Sequence, residues 1–210
     1  MVEVKLGKRN LELPYTVRIK GVTEEAFDEM VDEDTRAELI NGVMVVHSPA
    51  SWHHDDVAGF LRALMRCYVR EKALGAVLGP DSLVHLATCR KFAPDIYFVR
   101  QDRVPSPTPR KEFEGAPDLV VEVLSPSNRE EDVEDKRPAY QEAGVGEIWL
   151  VDPENHDIQI DVRARRKYTT TTISKGKVNS QVIRGFWIEA GWLWSSPLPR
   201  ELACLRKILK

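Results

Sequence analysis

The chain has 210 residues, 42% of them hydrophobic and 30% charged, with a formal net charge of −3. That length can bury a core without disulfides or structural metal, and the composition is that of an ordinary globular protein. The slight acidity excludes a global basic field, so a nucleic-acid partner must be met by a local patch, with strong salt dependence. Cys67, Cys89 and Cys204 are odd in number and lack C-x-x-C spacing, so neither a disulfide framework nor a zinc site is expected. A reducing cytoplasm is the expected location. The opening MVEVKLGKRN lacks the apolar stretch of a secretory signal, and no apolar run approaches the ~20 residues of a membrane helix. There is no internal repeat, and one domain over 1–210 is expected.

In chain order, residues 23–32 predict a short helix started by Thr23 and the acids after it. Residues 36–47 predict a hairpin turning at Asn41-Gly42. Residues 50–74 predict a long amphipathic helix, because Val57, Phe60, Leu61, Leu64, Met65 and Tyr68 recur at three- and four-residue steps. Gly75 is its expected C-cap. Strands follow near 76–87, 94–100 and 117–124. The last, PDLVVEVLS, is almost continuously apolar, as in a central strand covered on both faces. Between the second and third, the proline- and charge-rich stretch 101–115 reads as a loop within one sheet. A helix over 129–143 stops at Gly144, and strand 147–151 completes a strand–helix–strand unit, so part of the sheet is parallel. Further strands at 158–163, 167–174 and 177–183 read as a meander.

Three features carry chemistry. Glu122 sits inside VVEVL, where an ionised carboxylate is costly unless paired or bound to metal. Asp95 opens the apolar strand APDIYFV on a segment that can run beside that of Glu122. Asp118 has the same Pro-Asp context, but it lies four residues before Glu122, roughly 13 Å along one strand, and cannot share an ion with it. Two carboxylates aimed at one point suit a hard divalent cation such as magnesium or manganese. Without metal, at least one should have a raised pKa. Lys136 falls at helical steps with Val133, Tyr140 and Ala143, on the face turned towards the sheet, although Pro138 kinks that helix and moves its start towards Asp135. An inward lysine can steady an attacking water or developing negative charge; the alternative is an exposed lysine paired with Asp132.

These residues resemble the PD-(D/E)XK nuclease superfamily. Within it, AELINGVMVVHSPASWHHDDV, APDIYFV and PDLVVEVLSPSNREEDVEDKRPAYQEAGVGEIWLVDP resemble the restriction-endonuclease-like Uma-two family of nucleases. The resemblance runs from about residue 36 to residue 153. It implies a restriction-endonuclease-like α/β core, with a mixed central sheet flanked by helices. It implies that Asp95 and Glu122 are the motif acids and metal ligands, and that Glu38 is the upstream acid completing the site. The superfamily lysine would stand two positions after Glu122, where this chain has Leu124; Lys136 on the next helix looks like its replacement. His54 matches a family histidine, and Ser125 is a further polar group near the strand end.

The expected function is therefore that of a Mg2+- or Mn2+-dependent endonuclease hydrolysing phosphodiester bonds, with DNA the expected substrate and a homodimer the expected assembly by analogy. No organic cofactor and no membrane is expected. The alternative is a nuclease fold that binds nucleic acid or a partner protein without cutting. The run Arg163, Arg165, Arg166, Lys167 reads as a solvated hairpin tip or, alternatively, a phosphate contact. Asp152 reads as a strand-ending turn residue. Trp149, Trp187, Trp192 and Trp194 read as core or interface residues rather than stacking platforms.

Overall fold

Two mixed six-stranded sheets share an apolar layer, and helices cover the outer faces. The computed structural model describes residues 5–6, 9–10, 15–32, 35–105, 112–126 and 128–210. A short antiparallel ribbon, β1 (Lys5–Leu6) and β2 (Arg9–Asn10), comes first. Next are β3 (Thr16–Lys20), α1 (Glu24–Met30), β4 (Ala37–Ile40), β5 (Val43–His47) and α2 (Trp52–Glu71). Then come β6 (Gly75–Leu78), β7 (Leu83–Ala87), β8 (Arg90–Phe92), β9 (Ile96–Arg100), β10 (Glu112–Glu114) and β11 (Leu119–Val123). A π-helical stretch over Glu131–Lys136 leads into α3 (Arg137–Ala143). The remainder is β12 (Glu147–Asp152), β13 (Asp157–Ala164), β14 (Lys167–Ile173), β15 (Lys177–Asn179), β16 (Trp187–Glu189) and α4 (Glu201–Ile208).

One sheet has the order β14-β13-β12-β11-β9-β6 and the other β10-β7-β8-β4-β5-β3. β11 and β12 pair in parallel, as the strand–helix–strand pattern predicts. Alternation then sorts the central strands. Leu119, Val121 and Val123 of β11 face Leu61, Leu64 and Met65 of α2, with Cys204 and Ile208 of α4 in the same layer. Val120 and Leu124 face the other way, onto Phe92, Val84 and Tyr140. Glu122 shares that second face. The expected central strand covered on both sides is thus β11, and Trp149 beside it is fully buried.

The hairpin forms as expected. Asn41 and Gly42 both take positive φ, 52° and 78°, the backbone a two-residue turn of this hand requires. At the end of α2 the expectation is corrected. Ala73, not Gly75, is the left-handed residue, with φ 51°. The Leu74 amide reaches the Val69 carbonyl and the Ala73 amide the Arg70 carbonyl, a Schellman closure. Gly75 instead opens β6 at φ 150°, where a Cβ would stand 2.0 Å from the Val99 carbonyl oxygen.

Other boundaries also differ. The span 76–87 is two strands in different sheets, broken at Gly79-Pro80. β8 was not expected. Part of the loop 101–115 is strand β10, which pairs in parallel with β7; residues 106–111 of it lie outside the described residues. The meander breaks after β14, because β15 pairs with β16 and not with β14. The helix over 129–143 is interrupted: residues 129–130 are α-helical, Glu131–Lys136 are π-helical, and α3 runs from Arg137. Pro138, at the start of α3, has no N–H to continue a regular ladder backwards, and the preceding turns are wide π turns.

Candidate active site

β9 and β11 are antiparallel, with Ile96 opposite Val121 and Tyr97 opposite Val120. That register places Asp95 directly across from Glu122 on the same face, where opposed Cβ atoms are about 5 Å apart. Side chains and backbone then lock together. The Val123 amide donates to Asp95 Oδ2 at 2.8 Å, and the Asp95 amide to Glu122 Oε2 at 3.4 Å. His54, in the first turn of α2, brings its Nε2 to 3.2 Å from Asp95 Oδ2. α2 reaches this point because Ser51 caps it, accepting the His54 amide.

Lys136 is buried, 4% exposed, and stands among three carboxylates. Its Nζ is 2.9 Å from Asp132 Oδ1, 3.1 Å from Glu38 Oε2 and 3.4 Å from Glu122 Oε1. The inward reading of Lys136 and its pairing with Asp132 are therefore both realised, but the pair is buried. The π turns reset the buried face to Glu131, Asp132, Lys136, Ala139 and Tyr140, in place of the expected Val133, Lys136, Tyr140 and Ala143. Tyr140 donates to Glu122 Oε1 at 2.6 Å. Glu38, on β4, is also buried. It accepts the Ala93 amide at 2.6 Å and faces His47 Nε2 at 2.9 Å. That nitrogen lies 3.3 Å from Glu131 Oε1, and Arg18 pairs with the other oxygen of Glu131. Ser125 lines the same cleft and donates its hydroxyl to Asn128.

The electrostatics follow from burying five acids around one lysine. Burial pushes the Glu122 carboxyl up to about 7; repulsion from Asp95 and Glu38 adds to this, against Lys136 and Tyr140. Burial would raise Glu38 too, but Lys136, His47 and the Ala93 amide outweigh it and hold Glu38 down at about 2. Burial, reinforced by Glu122 and Asp95, drives Asp132 well above the ordinary range despite Lys136. For His54, desolvation is outweighed by Asp95, and its pKa is raised. The expected upward shift is present and falls on Glu122, Glu131 and Asp132, with burial its main cause and the neighbouring carboxylates adding to it.

A second buried strand carboxylate shows what a structural acid looks like. Glu147 receives the Trp149 indole, the Ser180 hydroxyl and the amides of Gln181 and Val182, all within 3.0 Å. Asp132 Oδ2, by contrast, is buried without a hydrogen-bond partner among the described residues. Asp118 is taken up by Arg100 and Arg103. Asp152 ends its strand, as expected, by accepting two turn amides and pairing with Arg129.

The site opens into a cleft of about 1050 Å³, floored by Glu38, Asp95, Glu122 and Lys136. Hard oxygen donors in acid excess suit a divalent cation. Besides Asp95 and Glu122, ligand atoms of Glu38, His47 and Glu131 lie within 4.8 Å of one another. Sequence reasoning set Asp132 beside Lys136, and Tyr140 on the same helix face, without giving either a place in the cluster, and it did not single out Glu131. The acidic run EEDVEDK has the look of a solvated helix face; the one available signal was the spacing of Asp132, Lys136 and Tyr140 at four-residue steps.

Mixed sheets, covering helices and an acid pair on adjacent central strands define a restriction-endonuclease-like α/β protein. The chain belongs to the Uma2 (Uma-two) family, described as "Putative restriction endonuclease", which matches residues 24–191. It is similar in fold to the crystal structure of a "putative nuclease belonging to DUF820" from Anabaena variabilis ATCC 29413. That similarity has a TM-score of 0.72 and 17% identity, and covers 82% of this chain and 97% of the other. No curated protein matches the chain. No helix among the described residues is long and apolar enough to cross a membrane.

Proposed function

We propose that the protein is a divalent-metal-dependent endonuclease that hydrolyses phosphodiester bonds in DNA, using Asp95 and Glu122 as metal ligands. The observation that carries this reading is the opposed pair Asp95 and Glu122, with the buried Lys136 ammonium 3.4 Å from the latter, at the floor of an open cleft. Membership of the Uma2 family supports it.

The residues fit magnesium or manganese. Five buried carboxylates, Glu38, Asp95, Glu122, Glu131 and Asp132, outnumber the buried Lys136. A bound ion of this kind polarises a phosphoryl oxygen and acidifies a water. The protein's own groups set the stage. His54 and the Val123 amide fix the carboxylate of Asp95. Tyr140 and Lys136 fix that of Glu122. Lys136 stays charged, because Asp132, Glu122 and Glu38 outweigh its desolvation. It offers that charge to phosphate oxygens as they become more negative. Glu38, ionised at all ordinary pH, holds the ammonium in place. Reaching the site from a helix, Lys136 takes the role that Leu124 cannot. Cutting both strands of a duplex needs two such sites, so a homodimer is the proposed assembly.

Calorimetric titration of Mg2+ and Mn2+ into wild type and the Asp95→Ala/Glu122→Ala double variant, with supercoiled-plasmid nicking on the same samples, tests the reading. Metal binding and nicking in wild type, both lost in the variant, are expected. Equal metal binding by the two proteins would remove the site assignment. Binding without nicking would favour a module that holds nucleic acid without cutting.

A further inference from the structure

Trp52 is 90% exposed, the most exposed of the large apolar side chains. An indole left in water forgoes roughly the 2–3 kcal/mol that burying such a ring returns, which a stacked ligand would recover. The backbone that carries the ring is fixed. Trp52 is the first residue of the 20-residue helix α2, whose start is fixed by the Ser51 cap. Two residues on, His54 turns inward to Asp95. Two residues of helix are about 200° of rotation, so one turn of α2 holds the active-site histidine inside and the indole outside.

The indole borders a recess of about 360 Å³ formed with Arg36, Ala50, Asp55 and Asp56. Arg36 and Ala50 also line the catalytic cleft, so the two spaces adjoin. The chemistry of the recess is that of a nucleobase site. A flat aromatic face stacks on any base. Exposed carboxylates accept hydrogen bonds from exocyclic amino groups. An exposed guanidinium pairs with the adjoining phosphate. Elsewhere the cleft walls carry Asp28, Asp81, Glu112 and Glu114. Asp28 and Glu112 share Lys91 and Glu114 faces His85, so acids still outnumber cations along these walls, and the exposed Arg36 beside Trp52 is the place for the phosphate of a single strand. With a net charge of −3, affinity has to come from contacts other than a general basic field.

Resting on the nuclease reading, we propose that Trp52, Arg36, Asp55 and Asp56 form a base-stacking subsite at the mouth of the cleft, which takes an unpaired nucleotide of a single-stranded or locally opened nucleic acid. The subsite then favours nucleic acid with an unpaired base near the scissile bond, including a locally opened duplex, over a fully paired stretch.

Fluorescence anisotropy with a labelled 15-nucleotide mixed-sequence strand, as DNA and as RNA, and with the fully paired DNA duplex tests this on wild type, Trp52→Ala and Trp52→Phe. Near-ultraviolet circular dichroism and plasmid nicking are recorded on the same proteins. Trp52→Ala should weaken single-strand binding about tenfold to a hundredfold for at least one sugar type, Trp52→Phe should retain most of the affinity, and duplex binding should change less than twofold. Unchanged single-strand binding by Trp52→Ala overturns the subsite, as does an equal loss for duplex and single strand, or a failure of wild type to bind either strand. The nicking arm separates the two claims. Nicking with Trp52-independent binding removes the subsite and keeps the nuclease, whereas Trp52-dependent binding without nicking keeps the subsite and removes hydrolysis.

Discussion

At the residue scale, Glu122 is a carboxyl whose proton the fold retains. Its pKa rises from the ordinary 4.5 to about 7 on folding in the absence of metal. Between those values the folded chain holds a proton that the unfolded chain has lost, so this group's contribution to stability falls as pH rises through the window. Glu38 has the opposite sign: held at about 2, it contributes stability above its unfolded value that is lost as pH falls towards 2. Glu122→Gln removes the first effect and keeps the shape. In metal-free buffer the variant should match wild type near pH 5 and exceed it at pH 8, by a ceiling on the order of 3 kcal/mol, read from urea midpoints. A difference that does not change with pH would show that Glu122 is ionised in the folded protein throughout. A cation must also displace that proton, so calorimetric affinity for Mn2+ should climb between pH 6 and pH 8 and level off above it.

At the element scale, α2 and the strands it leads into show how local geometry holds the site. α2 delivers His54 to Asp95 only while its far end turns tightly into β6, which pairs with β9. Ala73 makes that turn, and Gly75 opens β6 with no room for a side chain: a Cβ would meet the Val99 carbonyl at 2.0 Å and the Gln101 amide nitrogen at 2.9 Å. Gly75→Ala should therefore cost roughly 2–4 kcal/mol, since both backbone segments must move. Ala73→Gly, two residues earlier, relieves a left-handed alanine and should raise stability by up to about 1 kcal/mol. Thermal or urea denaturation of the two variants separates them by sign. An alanine at position 75 without cost would mean that β6 is free to shift along β9.

At the scale of the whole molecule, the acid cluster gathers β4, β5, β9, β11 and the π turns before α3, so a cation there ties both sheets and a helix together. A ligand that binds only the folded state stabilises it by mass action. At a hundredfold excess over its dissociation constant, Mn2+ should raise the melting temperature by roughly 5–10 °C. The Asp95→Ala/Glu122→Ala variant should show no dependence on Mn2+, as differential scanning calorimetry would measure. A rise of equal size in the variant would place the ion at another group, of which Glu38, His47 and Glu131 are the first to examine.

Much of this architecture was legible in the chain, because periodicity is a local property. The α2 stripe, the Asn41-Gly42 turn and the apolar run of β11 each follow from a few consecutive residues. The acid within that run marked Glu122 for the same reason: a carboxylate among valines has to be accounted for. Asp95 was legible as a partner in principle, but only the β9–β11 register put it directly opposite. Three things were decided by tertiary structure. Glu131 and Asp132 lie in an acidic run that gives no local sign of burial, yet the π turns rotate them inward, since hydrogen bonding around Pro138 depends on the whole helix. Gly75 reads as a helix cap, yet it is required by a carbonyl of β9, distant in sequence. Trp52 was not singled out in the sequence; that it is left in water beside the cleft depends on how α2 lies against the two sheets. The sequence by itself determined the elements and the chemical character of the motif acids, because these are set by neighbours along the chain. Which charges meet, and which surface stays uncovered, was decided only by packing, because both depend on contacts between residues far apart in sequence.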